Sequence, residues 1–176
     1  WLYDLDFTSL YPSIIMSLNI SPETKVGRIE NWNPEEFVKK IPKDYSVEFL
    51  GESHIMDHDT VQALLDQTNV SVSANGVLYN QNKKGLIPMI LEEWFKDKDR
   101  YDKLMKKYGA EGDKVQSKYY KQRRTIAKVM LNSVYGVLGL PVFRFYDLDN
   151  AEAVTTTGVL LIQYAERMGN YYYNKT

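Results

Sequence analysis

The sequence contains no cysteine and only two histidines. The first absence excludes disulfides, thiolate metal sites and a cysteine nucleophile; the second argues against a histidine-built zinc site. No apolar run approaches the roughly 20 residues that a membrane-spanning helix needs, since Val159-Leu160-Leu161-Ile162 is about the longest. No membrane partner is expected. Internal repeats, low-complexity tracts and linkers are also missing. The opening Trp1-Leu2-Tyr3-Asp4 shows neither an initiating methionine nor the basic-then-apolar order of a signal peptide, and the expectation is a fragment of something longer. What is present is a globular composition: 176 residues, 44% apolar and 26% charged. That is one ordinary domain or two small lobes, and it excludes disorder throughout.

Charge of one sign is not in excess overall, for the net charge is -1, but it is unevenly placed. Residues 1–82 carry 5 basic and 12 acidic residues, residues 83–128 carry 14 and 7, and residues 129–176 carry 3 and 4. A basic middle between acidic flanks is an anion-binding segment or a solvated, lysine-rich helical hairpin. Charge alone leaves both readings open.

The local patterns give an order of elements. Leu2-Tyr3-Asp4-Leu5-Asp6-Phe7 alternates apolar and acidic residues, the period of a strand. Residues 9–18, with Pro12 early, read as a short apolar helix stopped by Ser21-Pro22. Residues 26–70 are less informative. Asn33-Pro34-Glu35-Glu36-Phe37 has the form of a helix start, and residues 60–67 read as a second short helix. Val70-Ser71-Val72-Ser73, Asn75-Gly76 and Val77-Leu78-Tyr79 predict a hairpin with a two-residue turn. A long helix opens at Pro88, with Leu91, Trp94, Tyr101, Met105 and Tyr108 on one stripe. Gly109-Ala110-Glu111-Gly112 breaks it. A second helix over about 113–134 places Lys121, Arg124, Lys128, Asn132 and Tyr135 on a shared face, ended by Gly136 and Gly139. Arg144-Phe145-Tyr146 reads as a strand, and Asp149-Asn150 as the cap of a last helix over about 151–168.

Two constellations carry chemistry. In Asp6-Phe7-Thr8-Ser9-Leu10-Tyr11-Pro12-Ser13 a carboxylate ends a strand and a helix begins three residues later. Backbone N–H groups at such a start face outward and receive anions, while the carboxylate suits a hard cation. The plainer alternative is a strand end capped by Asp6 or Ser9. In Lys128-Val-Met-Leu-Asn132-Ser133-Val-Tyr135-Gly136, Lys128 and Asn132 lie one helical turn apart and Tyr135 three residues further on. A lysine holds phosphate as a point charge, and an aromatic beside it packs on a base or sugar. The plainer alternative is a snorkelling lysine and an Asn-Tyr helix end.

Together the two segments resemble family B DNA polymerases. The first is similar to the family's leading palm motif and the second to its fingers motif, in the same order and with a hairpin and a long helix between them. Residues 9–24, ending Asn19-Ile20-Ser21-Pro22-Glu23-Thr24, are most similar to phage polymerases of the T-even type. The resemblance covers nearly the whole chain. It implies an α+β fold: a partial antiparallel palm sheet with helices over residues 1–86, an inserted antiparallel helical hairpin as fingers over 87–137, and a palm return over 138–176, truncated before the second catalytic carboxylate.

Site residues follow from the resemblance. Asp6 is expected as a catalytic carboxylate and metal ligand, one of the two that hold two Mg²⁺ ions, with its counterpart outside this chain. The backbone of Ser9 and Leu10 would bind the triphosphate, and Tyr11 would be the steric gate under the sugar. Lys128 would grip the phosphates as the second catalytic residue, with Asn132 beside it, and Tyr135 would pack near the nascent base pair. The family's Arg and Lys of the first fingers helix fall on Lys98 and Asp102. Lys98 keeps the charge without the bidentate fork. Asp102 reverses it, and Lys103 and Arg100 are the candidate substitutes. Asp4 shares a strand face with Asp6, as a spare ligand or a solvent-facing residue. The Asp-Thr-Asp-type hairpin of the family is absent; Asp147-Leu148-Asp149 follows the fingers motif too closely and reads as the loop before the last helix. The implied reaction is DNA-directed nucleotidyl transfer from a deoxynucleoside triphosphate to a primer 3′-OH. The expected partners are primer–template DNA, the nucleotide and the remainder of the polymerase, in the cytoplasm, that of the host if the source is viral. The fragment alone is expected to be inactive. The alternatives are a non-catalytic nucleic-acid- or nucleotide-binding module and a structural helical-hairpin adaptor.

Overall fold

The computed structural model describes Phe7 and residues 9–173. The predicted first strand, with Asp4 and Asp6, therefore lies outside the described residues. The fold is α+β: among the described residues there are a five-stranded antiparallel sheet, six α-helices and one short 3-10 helix, Pro22–Thr24. α1 (Leu10–Leu18) leads into β1 (Lys25–Ile29), α2 (Pro34–Val38), β2 (Tyr45–Phe49), β3 (Glu52–Met56), α3 (His58–Thr68), β4 (Val70–Val72) and β5 (Val77–Asn80). Then come α4 (Leu86–Ala110), α5 (Lys114–Leu138) and α6 (Leu148–Tyr173). The strand order is β3-β2-β1-β5-β4.

The sheet is covered on both faces, and the alternation of its side chains sorts them into two cores. In β5, Val77 and Tyr79 turn to a cluster with Ile14, Ile15, Leu91, Leu131, Leu138 and Val154, which joins α1, α4, α5 and α6. Leu78, between them, turns to the opposite face, where Ile29, Tyr45 and Val47 meet Phe37 of α2 and Val61 of α3. All three β5 residues are buried for this reason.

Tyr45-Ser46-Val47-Glu48-Phe49 does alternate in burial, so β2 carried a strand signal that the sequence reading passed over, along with β1 and β3. The β4–β5 hairpin forms, but its loop has three residues rather than two. The N–H of Gly76 donates to the Ser73 carbonyl at 2.9 Å and that of Ser73 to Val77 at 3.0 Å. Gly76 sits at φ +87°, and a β-carbon there would lie 2.3 Å from the Ile29 carbonyl oxygen. Only glycine fits both conditions.

Three expectations further along need correction. α5 runs through Gly136 and ends at Gly139, because Leu138 is fully buried and its packing outweighs the roughly 1 kcal/mol that an interior glycine costs. Arg144-Phe145-Tyr146 is not a strand: the N–H of Phe143 bonds Leu140 and that of Tyr146 bonds Phe143, as successive turns. The last helix begins at Leu148, and its cap is Asp147, whose Oδ1 accepts from the Asn150 N–H at 3.1 Å.

The root of the helical hairpin is tied to the end of α1. Asn19, left-handed at φ 58° and buried, donates to the carbonyls of Asn80 and Lys83 and accepts from the Gly85 N–H. Glu23 accepts from the N–H of Leu86, the first residue of α4. Its burial raises its pKa, but that bond and one from the Ser21 hydroxyl outweigh the effect and leave its carboxyl below the usual range. α4 thus takes its capping from a distant segment, and the position of the hairpin is set by α1. No helix among the described residues is long and apolar enough to cross a membrane.

Candidate nucleotide-binding cleft

The N-terminus of α1 is unusual. Ser9 is left-handed, at φ 54° and ψ 50°, and no side chain caps the helix. A non-glycine residue in that conformation costs on the order of 1–3 kcal/mol. The first intrahelical bond runs from the Ser13 N–H to the Ser9 carbonyl at 3.0 Å. Pro12 has no N–H, so the helical ladder leaves the N–H groups of Leu10 and Tyr11 as its outward donors.

A cleft of about 440 Å³ opens at this end. One wall is Phe7, Ser9, Leu10, Tyr11 and Pro12; the other is Lys98 of α4 with Arg124, Lys128 and Asn132 of α5. The antiparallel packing of α4 on α5 brings the three cations together from two helices. The Lys98 side chain is 13% exposed, with its ammonium 3.9 Å from the centre of the Phe95 ring. Arg124 Nε lies 2.6 Å from Asp102 Oδ1, and Asp102 Oδ2 lies 2.6 Å from Lys106 Nζ. The hydrogen bond from Lys106 is the main cause that holds the Asp102 carboxyl below its ordinary pKa, with the Arg124 charge adding to it. Asp102 therefore stays ionised and fixes the guanidinium at the cleft wall. Three cations opposite a helix N-terminus form a site for a multiply charged anion.

The aromatic part sits at one side. Tyr11 is 37% exposed, and its ring centre is 4.5 Å from that of Tyr135, tilted by 47°. A larger groove of about 1070 Å³ runs along the outer hairpin, but its lysines, Lys114, Lys118 and Lys121, form one row on a single helix, α5. The smaller cleft has the convergent groups.

The structure brings Ser9, Leu10, Tyr11, Lys98, Lys128 and Asn132 together around this one cleft. Tyr135 reaches it through its contact with Tyr11. Arg100 and Lys103 do not line it: Arg100 pairs with Asp97 at 3.0 Å on the exposed side of α4, and Lys103 is exposed. Arg124 lines it instead. Its helical spacing from Lys128 was the available signal, but the spacing does not say which cations on that face turn inward. Asp147 and Asp149 are engaged elsewhere, with Lys25 at 3.2 and 2.6 Å, and Asp149 also with Arg28 at 3.1 Å.

Asp6, one residue ahead of Phe7, lies outside the described residues. Among those described, no group of three or more His, Asp or Glu side chains could hold a metal ion, and no carboxylate lines the cleft. The described residues do not by themselves fit a magnesium site.

The family model for DNA polymerase family B matches residues 2–174. The chain belongs to this family. The DNA-directed DNA polymerase of Escherichia phage RB69 is 31% identical over 203 residues, which cover 99% of this chain and 22% of that protein. The DNA-directed DNA polymerase of Enterobacteria phage T4 is 28% identical and likewise covers 99% of this chain and 22% of its own length. A solved family B DNA polymerase from the hyperthermophilic archaeon Pyrobaculum calidifontis superposes with a TM-score of 0.61 at 26% identity, over 93% of this chain and 18% of that one. The chain thus spans about a fifth of the length of these relatives. The α+β fold found here is that of a domain of a family B polymerase.

Proposed function

We propose that this family B segment binds the incoming deoxynucleoside triphosphate in a DNA-directed DNA polymerase. The observation that carries the reading is the single cleft in which the uncapped start of α1 faces Lys98, Arg124 and Lys128. In the reaction, a primer 3′-OH attacks the α-phosphorus and pyrophosphate leaves. Phosphoryl transfer of this kind needs positioning and charge stabilisation rather than a covalent nucleophile. The N–H groups of Ser9, Leu10 and Tyr11 and the three cations hold the triphosphate and take up the charge that grows on the leaving phosphates. Asn132 lies one turn from Lys128 on the same wall. Tyr11 stands beside the sugar as the barrier to a 2′-OH, with Tyr135 behind it and near the base pair. On this reading residues 1–86 and 138–176 are palm and 87–137 are fingers. Asp6 is the proposed carboxylate of the Mg²⁺ site.

Primer extension by the full-length polymerase tests this. Asp6→Ala and Lys128→Ala should each lower kcat/KM for the nucleotide about 100- to 1000-fold. Extension by Asp6→Ala at the wild-type rate sinks the assignment. A second reading, a nucleotide-binding module without chemistry, is favoured by the lack of a carboxylate on the cleft wall among the described residues. It predicts triphosphate binding that Lys128→Ala weakens, no dependence on magnesium, and no loss of extension in Asp6→Ala.

A further inference from the structure

Tyr11 is held between two helices remote from it in sequence. On one side is the Tyr135 ring of α5, at 4.5 Å between centres. On the other is the backbone of α6, at the buried Gly158. A β-carbon at Gly158 would lie 3.2 Å from Tyr11 Cε1, 3.6 Å from Ile14 Cδ1 and 3.7 Å from Leu10 Cδ2. The last two are ordinary van der Waals separations; the first is inside one. Gly158 lies well inside a 26-residue helix, and its φ is not in the left-handed region. The backbone does not call for glycine there, and glycine is a poor helix former. What needs the missing side chain is the approach of α1.

The geometry points to Gly158 as a positioning residue for Tyr11: by lacking a β-carbon it lets the ring lie back against α6, and so sets how far the ring projects into the cleft. This rests on the reading of Tyr11 as the wall beside the nucleotide sugar. Gly158 touches no substrate; it acts through Tyr11. A methyl group at 158 displaces the ring by a few tenths of an ångström. α6 and Tyr135 close two directions, and the 37% of Tyr11 that is exposed opens toward the cleft it lines. The displaced ring narrows the passage, and a sugar with a 2′-OH is affected before one without it.

The test is the ratio of kcat/KM for deoxynucleotide over ribonucleotide in the full-length polymerase. Gly158→Ala should raise this ratio about 3- to 10-fold, since sub-ångström misplacement at a reacting site costs factors of that order. A structural role alone would lower stability or overall rate and leave the ratio unmoved. If Gly158 acts through Tyr11, the same substitution in a Tyr11→Ala background should change the ratio by less than about 2-fold, because the two sites are then coupled. An unchanged ratio in Gly158→Ala, or an equal shift in both backgrounds, overturns the proposal while the sugar-wall reading stands. If Tyr11→Ala alone leaves the ratio at the wild-type value, the sugar-wall reading fails and takes the proposal with it. Should Gly158→Ala fold poorly, recovery of the unfolding midpoint in the Tyr11→Ala double variant supports the contact, and no recovery overturns it.

Discussion

The root and the outer half of the α4–α5 hairpin are built differently. At the root, Ile87 and Leu91 of α4 and Ala127, Leu131 and Leu138 of α5 are buried, and the start of α4 is capped from the segment that ends α1. Between residues 92 and 126 no residue is buried. There the two helices are held by rings and charges. Tyr108 stacks on Tyr120 at 5.5 Å and 5°, Tyr101 lies 6.3 Å from the same ring, and Asp102 bridges Lys106 and Arg124. Full aliphatic burial is strong and fixed, whereas half-buried stacks and partly exposed ion pairs are weaker and open more readily. The cleft lies where one regime gives way to the other: Lys98 and Arg124 belong to the outer half, and Lys128 and Asn132 to the root. Within that one wall, Lys98 and Arg124 are thus less firmly anchored than Lys128 and Asn132.

Substitutions can break or sharpen that contrast. Leu131→Ala, in the root, should cost about 2–5 kcal/mol in denaturant-induced unfolding. A loss no larger than that of an outer-half variant would mean that the root is not the anchor. Tyr120→Ala should cost only about 0.5–1.5 kcal/mol for its lost ring pairs. It should speed amide exchange selectively over the outer half of the hairpin, and faster exchange at the root instead would erase the distinction. The smallest effect concerns acid. The Asp149 carboxyl is held below its ordinary pKa, first by the hydrogen bond from Lys25 and, against the cost of burial, by the charges of Lys25 and Arg28. With its folded pKa depressed, the pair's stabilisation is present above the unfolded value of about 3.9 and is lost as pH falls through the lower, folded one. Asp149→Asn should flatten the fall in stability below that pH and leave exchange in the outer hairpin unchanged.

Much of this was legible in the residues. The helix starts at Asn33 and Asp113 and the stripe on α4 are local signals, and they describe local structure correctly; the Asn75-Gly76 signal found the hairpin but not its three-residue loop, and the break expected over 109–112 begins only after Ala110. The residues around Asp6 and Lys128 carried the family. Where the reading missed, tertiary packing overrode local preference. Leu138 drew α5 past Gly136, and successive turns through Phe143 and Tyr146 replaced the expected strand. β1 and β3 have little pattern of their own and are held by their pairing with β2 and β5.

The sequence by itself determined the family, because the two motifs, their order and their separation are properties of the chain alone. It also placed Lys128, Asn132 and Tyr135 on one helical face, since the period of a helix does that without help. Only the tertiary structure decided that Arg124, and not Arg100 or Lys103, turns into the cleft, and that Gly158, 147 positions from Tyr11, forms the backing of its ring. Those facts depend on how α4, α5 and α6 pack on α1, and the period of one helix marks a buried face without saying which residues of another helix meet it.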